Sequence, residues 1–307
     1  MKRDLVSILD LEGELEDVID LAIRMKAQTR KGKCPQHLAG KVVAMIFEKP
    51  SLRTRVSFEV GTKQLGGQAL YLSPSEIQVG KRESVHDVAK VMSRFADIIM
   101  YRAFDYKIMK ELAKHADVPV INGLDNLEHP CQIAADLMTV KEHRGKLRGL
   151  KLAWIGDGNN VCNSLLLATA MVGMDMSVAT PTGYEPNAGV VKDAKRLAKK
   201  SRTTVTLTND VRAAAKGAGV LVTDTWVSMG EEAEKAKKEA IFKDFQINKK
   251  LLSVADKKCL VLHCLPAHRG QEITDEVMDG PHSVVFDEAE NRLHAQKAIM
   301  VRLLGKA

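Results

Sequence analysis

Lys49-Pro50-Ser51-Leu52-Arg53-Thr54-Arg55-Val56-Ser57-Phe58-Glu59 follows an apolar run, residues 42–47, and opens a segment with apolar residues at helical spacing through Phe58 and Leu65. The run reads as a buried strand and the segment as a helix. Ser51, Arg53, Thr54 and Arg55 therefore gather at a strand-to-helix turn. Free backbone N–H groups and the positive end of the helix dipole point outward there, which suits a phosphate. Arginine adds a charged planar fork matched to phosphate oxygens. Two readings fit: an anion seat, or a helix capped by Ser51 or Thr54 whose arginines face solvent.

Working outward, residues 15–25 carry a helical stripe (Leu15, Val18, Ile19, Ala22, Ile23), and 26–40 read as a loop. Downstream come a strand at 69–72, a polar loop at 73–83, a helix at 85–95 and a strand at 98–101 ending at Arg102. A helix at 108–115 and a strand at 119–122 precede His129-Pro130-Cys131-Gln132, which begins an amphipathic helix with Ile133, Leu137, Met138 and Val140 on one face. Proline is tolerated there because an early helical N–H has no partner to lose. A basic, glycine-containing stretch at 143–150 then separates this pattern from a second one. The second has expected strands at 151–156, 176–180, 204–207, 220–223, 259–263 and 284–286. Its helices fall at 161–172 and 190–199, and a last helix at 289–304 carries Arg292. Residues 231–240 interleave both charges, with Glu231/Lys235 and Glu234/Lys238 four apart, the pattern of a solvated helix.

Alternating strands and helices of this length imply an α/β fold of two doubly wound parallel-sheet domains. Ligands of such sheets sit beyond the carboxyl ends of the strands. Residues 51–55, Arg102, 129–132, 157–160, 224–230 and 263–269 all follow expected strands, so polar groups from both halves are expected in a cleft between the domains.

A chain of 307 residues with 45% hydrophobic and 28% charged residues has the mass for two domains with real cores. No stretch approaches the ~20 apolar residues of a membrane span, and the start, Met1-Lys2-Arg3-Asp4, lacks a signal-type apolar run. Cys34, Cys131, Cys162, Cys259 and Cys264 are scattered and form no CxxC pair, which implies reduced thiols and a cytoplasmic setting. The net charge of +7 invites a nucleic-acid reading, but it is spread along the chain and only 4% of residues are aromatic. A small anionic substrate fits better than nucleic acid or a membrane.

Three further stretches bear chemistry. Gly156-Asp157-Gly158-Asn159-Asn160-Val161 is an incomplete dinucleotide fingerprint, because Val161 replaces the third glycine and no acidic residue closes the strand at 176–180. Asn160 is expected to point into the cleft. His263-Cys264-Leu265-Pro266-Ala267-His268-Arg269-Gly270 admits a metal site, a Cys–His nucleophile, or packing beside a ligand. Asp224-Thr225-Trp226-Val227-Ser228-Met229-Gly230 places a carboxylate at a strand end, either for a ligand ammonium or as a helix cap.

Taken together, these motifs resemble the ornithine carbamoyltransferases over essentially the full length and in order. Ser51-Leu52-Arg53-Thr54-Arg55 resembles the family's Ser-Thr-Arg-Thr-Arg signature, with a departure at Leu52. His129-Pro130-Cys131-Gln132, Asp224 with Ser228-Met229-Gly230, and His263-Cys264-Leu265-Pro266 match the remaining motifs. The resemblance implies transfer of the carbamoyl group of carbamoyl phosphate to L-ornithine, giving L-citrulline and phosphate, in arginine metabolism. It implies a carbamoyl phosphate domain at 1–143, joined by a C-terminal helix at 289–307 that packs back on it, and an ornithine domain at 150–288. Ser51, Leu52, Arg53, Thr54 and Arg102 would hold the phosphate. Arg102, His129, Pro130, Cys131, Gln132 and Arg292 would surround the carbamoyl group. Cys264 and Leu265 would lie where the substrates meet, and Asn160, Asp224, Ser228 and Met229 would hold the amino-acid end of ornithine. Gln78 would reach a neighbouring site in a homotrimer. Putrescine or N-acetylornithine as the accepting amine is the alternative.

Elementary chemistry agrees. An alkylammonium with pKa about 10.4 must lose a proton before it attacks. Arg53, Arg102 and Arg292 would disfavour its charged form, and preplaced donors would meet the developing oxyanion. The reaction calls for no metal, cofactor or protein nucleophile. Closure over residues 225–245 would exclude water from carbamoyl phosphate.

Overall fold

The computed structural model describes residues 2–227 and 232–306. Ser228 and Met229, expected at the amino-acid end of the substrate, lie outside the described residues, as do Gly230 and Glu231. The chain divides into two compact units, Met1–Met138 with Glu290–Ala307, and Thr139–Ala289.

In the first unit, α1 (Leu15–Arg30) leads to β1 (Val42–Phe47), α2 (Leu52–Gln64), β2 (Gln68–Leu72), α3 (Val85–Phe95), β3 (Ile98–Arg102), α4 (Tyr106–His115), β4 (Val120–Leu124) and α5 (Pro130–Arg144). The sheet order is β2-β1-β3-β4, all parallel. β1 and β3 are almost wholly buried, which is why both read as unbroken apolar runs. The core under the sheet gathers Ile46, Ile99, Tyr101, Met109, Leu112 and Val120.

The second unit runs through β5 (Lys151–Ile155), α6 (Asn160–Val172), β6 (Asp175–Ala179), α7 (Ala188–Ser201), β7 (Val205–Thr208), α8 (Val211–Ala215) and β8 (Val220–Thr223). It continues with α9 (Lys235–Phe242), α10 (Lys249–Leu252), β9 (Leu260–His263), α11 (Asp275–Met278) and α12 (Val285–Leu303), the last of which runs on into the first unit. The order β7-β6-β5-β8-β9 is again all parallel. Trp226, Phe242 and Phe245 pack with Ile155 and Val261 in its core.

Each sheet reverses its winding once, between β1 and β3 and between β5 and β8. Carboxyl ends of strands at such reversals are where open α/β sheets bind ligands.

Two expectations fail. Residues 284–286 form no strand: Val284 N–H reaches the Val261 carbonyl and Ser283 makes a single bridge to Val261, after which α12 begins. Three β-favouring side chains were too short a run to outweigh a long helix with its own packing partners. The charged helix is also not fully solvated. Lys238 is buried and its Nζ meets Asp157 Oδ2 at 2.7 Å, while Lys235 faces Glu239 at 3.8 Å. A distant carboxylate on the β5–α6 turn overrides the local four-residue pairing.

From Glu290 on, α12 packs within the first unit. Lys26 Nζ bonds Asn291 Oδ1 at 2.7 Å, and Lys297 Nζ bonds Thr29 Oγ1 and Gln64 Oε1, each at 2.8 Å. His294 is buried in the same seam, and burial, reinforced by the Lys297 charge, pushes its pKa down to about 4, against the lesser upward pull of Glu290. Its folded pKa lies below the unfolded value near 6.5, so the unfolded chain binds the extra proton between those values. Stability is therefore expected to fall by roughly 1–3 kcal/mol as pH drops from about 6.5 to 4. Urea unfolding across that window checks it, and His294→Gln should flatten the slope.

Gly158 marks a close approach. A Cβ there would stand 2.3 Å from Pro186 N and 2.6 Å from Tyr184 O, both backbone atoms that cannot rotate away. Gly158→Ala is expected to cost about 3 kcal/mol, read as a lowered denaturation midpoint.

Candidate active site

At the β1/β3 reversal, Phe47 pairs in register with Arg102, so the turn after β1 lies beside the end of β3. Ser51 caps α2: its hydroxyl accepts the Thr54 N–H at 3.3 Å and lies 3.1 Å from Thr54 Oγ1. The capping reading of Ser51 is thus realised. Two buried guanidiniums also converge on Thr54 Oγ1, Arg102 Nη1 at 3.5 Å and Arg292 Nη2 at 3.2 Å. Arg292 also donates to Gln132 Oε1, and Gln132 Nε2 donates to Asp136 Oδ1 at 2.8 Å.

His129 is buried at the entry to α5. Its pKa lies well below the usual imidazole value, through burial first and then the charges of Arg292, Arg102, Lys49 and Arg53. The imidazole is therefore neutral in the ordinary pH range, and the cations that keep it so create the positive potential an anion needs. Pro130 opens α5, and Cys131 is fully buried behind it, its thiol facing the Asn122 carbonyl at 3.5 Å. Burial pushes that thiol up to about 12, so it packs rather than reacts.

Arg53 is half-buried on the first turn of α2, whereas Leu52 is 75% exposed. Gln78 does not join the Thr54–Arg102–Arg292–Gln132 cluster. It is exposed on the 73–83 loop in the left-handed conformation, with φ 47°, and borders a hollow with Phe47, Glu48 and Phe104.

In the second unit, the turns after β5 and β8 meet at Asp224, which is 8% exposed. Its Oδ2 accepts from Asn159 Nδ2 at 2.9 Å, and its Oδ1 from the Cys264 thiol at 3.1 Å and the Thr225 N–H at 2.8 Å. Among the described residues Asp224 caps no helix and no cation pairs with it. Asn160 is half-buried at the first position of α6, and Asn159 before it both caps that helix and holds Asp224.

Leu265 follows Cys264 with φ 59°, a conformation that a branched side chain rarely adopts outside a constrained site. Donor atoms of Asp224, His263 and Cys264 come within 4.8 Å of one another, the spacing of a metal cluster. Both His263 ring nitrogens are already engaged, Nδ1 by the Leu265 N–H and Nε2 by Glu272, each at 2.9 Å.

Sequence reasoning missed Asn159, Asp136, Glu272 and Lys238. Asp136 sits four residues after Gln132, a legible helical spacing. Nothing local marks Glu272 or Lys238.

The family model for the carbamoyl-P binding domain of aspartate/ornithine carbamoyltransferase matches residues 3–142, and that for its Asp/Orn binding domain matches residues 148–303. The chain is similar to the ornithine carbamoyltransferase of Methanobrevibacter smithii, 54% identical over 98% of this chain and 99% of that one. It is similar also to the catabolic ornithine carbamoyltransferase of Thermoplasma acidophilum, 52% identical over 99% of each. The solved ornithine carbamoyltransferase of Pyrococcus furiosus superposes with TM-score 0.97 at 48% identity, covering 100% of this chain and 98% of that one. The anabolic enzyme of Campylobacter jejuni gives 0.93 at 38% identity, covering all of both chains. With both domain models matched in order and relatives aligned end to end, the chain belongs to the aspartate/ornithine carbamoyltransferase family.

Proposed function

We infer that this protein is an ornithine carbamoyltransferase, which moves the carbamoyl group of carbamoyl phosphate to the side-chain amine of L-ornithine and releases L-citrulline and phosphate. The observation that carries the choice of amine is Asp224. A buried carboxylate whose partners are an amide, a thiol and a backbone N–H, with no cation among the described residues, suits a substrate ammonium.

The first unit takes the phosphate. Ser51, Arg53, Thr54 and Arg102 hold its oxygens, with Leu52 contributing through its N–H, since its side chain points to solvent. Arg102, Arg292, Gln132 and the neutral His129 surround the carbamoyl oxygen, with Pro130 and Cys131 shaping the backbone beside it. The second unit takes the amino acid through Asn160, Asp224, Ser228 and Met229, with Cys264 and Leu265 at the reacting nitrogen.

The amine adds to the carbonyl carbon in its neutral form. The oxyanion that forms meets guanidinium and amide donors already in place, and collapse breaks the bond to phosphate. Phosphate departs with the electron pair, and the nitrogen sheds its surplus proton.

A homotrimer in which Gln78 reaches a neighbouring site completes the proposal. Leu52, Val56 and Val60 support it, since they lie exposed one turn apart on α2, as an apolar stripe that a second copy would cover. A cytoplasmic setting is supported by five free cysteines.

The test is citrulline formation from L-ornithine, run beside putrescine, N-acetylornithine and L-aspartate. Ornithine should lead in kcat/KM by about 100-fold or more, the value of one buried charge pair. Preference for putrescine or N-acetylornithine would overturn the reading.

A further inference from the structure

Glu272 is fully buried against an equally buried His263, and among the described residues its Oε2 has no hydrogen-bond partner. None of the chemistry above uses it. Its Oε1 is engaged twice, by His263 Nε2 at 2.9 Å and by the His268 backbone N–H at 2.6 Å. The other ring nitrogen of His263, Nδ1, accepts the Leu265 N–H at 2.9 Å. Nδ1 therefore carries no proton, and the imidazole proton sits on Nε2, aimed at Glu272.

One carboxylate oxygen thus ties both ends of the turn that carries Cys264 and Leu265: directly at His268, and through the imidazole at Leu265. Two further contacts fix the frame. Glu288 Oε2 accepts the His263 N–H at 2.9 Å, and Thr225 Oγ1 lies 3.1 Å from His268 Nδ1, beside Asp224.

We propose that Glu272 is a positioning residue for amine transfer: by fixing the His263 tautomer it holds Leu265 in its left-handed conformation and keeps the Cys264 thiol on Asp224. The proposal rests on the ornithine reading above for its kinetic consequence but not for its structural one. Without an acceptor at Glu272, a buried imidazole N–H is left unsatisfied, and the proton moves to Nδ1. The Leu265 N–H then faces another donor, and nothing offsets the strain of its backbone.

The test pairs Glu272→Ala with Glu272→Gln in the full chain, reading residue-resolved amide exchange and steady-state kinetics. In Glu272→Ala, exchange at Leu265 and His268 should rise about tenfold or more, the effect of one lost buried hydrogen bond. The value of kcat/KM for ornithine should fall about 10- to 100-fold, while KM for carbamoyl phosphate stays within about twofold. Glu272→Gln keeps an acceptor oxygen and should recover to within about threefold of the parent.

Unchanged exchange at Leu265, equal losses in both variants, or a parallel rise in KM for both substrates would overturn the proposal. Should the alanine variant not fold, His263→Gln can still donate to Glu272 but lacks the Nδ1 acceptor. Its Leu265 amide should exchange faster while His268 stays protected, and a protected Leu265 would refute the proposal. A parent enzyme that makes no citrulline would sink the activity assignment and leave the exchange result to be judged by itself.

Discussion

Arg102→Met should lower kcat/KM for carbamoyl phosphate by about 10³-fold without unfolding the protein. Arg102 ends β3, is 4% exposed, and points Nη1 at Thr54 Oγ1 on the first turn of α2. Its guanidinium is assigned to both halves of the donor substrate, a phosphate oxygen and the carbamoyl oxygen. Each contact is charge-assisted, and the second strengthens as the oxyanion forms, so the loss should reach kcat as well as KM. Methionine fills similar volume without charge, so no large cavity opens and the strand pairing with Phe47 survives. Circular dichroism and the melting temperature serve as the fold control. A folded Arg102→Met enzyme with kcat/KM within tenfold of the parent would mean the phosphate sits elsewhere.

Asp224→Asn should raise KM for ornithine about 100-fold or more while leaving KM for carbamoyl phosphate nearly unchanged. Asparagine keeps the shape of the carboxylate and one acceptor for the Cys264 thiol or the Thr225 N–H. It removes the charge that would neutralise a desolvated ammonium, and breaking such a buried pair costs about 3–5 kcal/mol. The same variant should discriminate less between ornithine and N-acetylornithine, whose amide nitrogen carries no charge. A parallel loss for both acceptors would show that Asp224 only braces the turn.

Much of this architecture was legible in the sequence because the signals were local. β1 and β5 announce themselves as unbroken apolar runs, since strands buried on both faces need no alternation. The turn at residues 51–55 declares a cap, and the cap is there, with the arginine of the next parallel strand beside it. Where the signal was nonlocal, reading along the chain failed. Lys238 looked like one member of a solvated pair, yet its partner is Asp157 on the β5–α6 turn. Nothing in the sequence around Glu272 marks it, and only the fold brings it to His263. Residues 284–286 had strand composition, but the long helix they enter decides their state.

Of the expected site residues, Thr54, Arg102, Gln132 and Arg292 come together through their side chains. Asp224 and Cys264 meet in the second unit. Asn159, which the sequence did not single out, caps α6 through its Oδ1 and donates to the Asp224 carboxylate through its Nδ2. Cys131 is a buried thiol behind Pro130, and Gln78 lies on an exposed loop apart from the cluster, as a residue expected to reach a neighbouring copy would.

A crystal structure with a bisubstrate analogue, a phosphonoacetyl group joined to the side-chain nitrogen of L-ornithine, tests the central claim most directly. Expected are phosphonate oxygens within hydrogen-bond reach of the Ser51 hydroxyl, the Thr54 N–H and the Arg102 guanidinium, with the α-ammonium on Asp224. A phosphonate bound away from the start of α2, with Arg102 and Thr54 untouched, would contradict it.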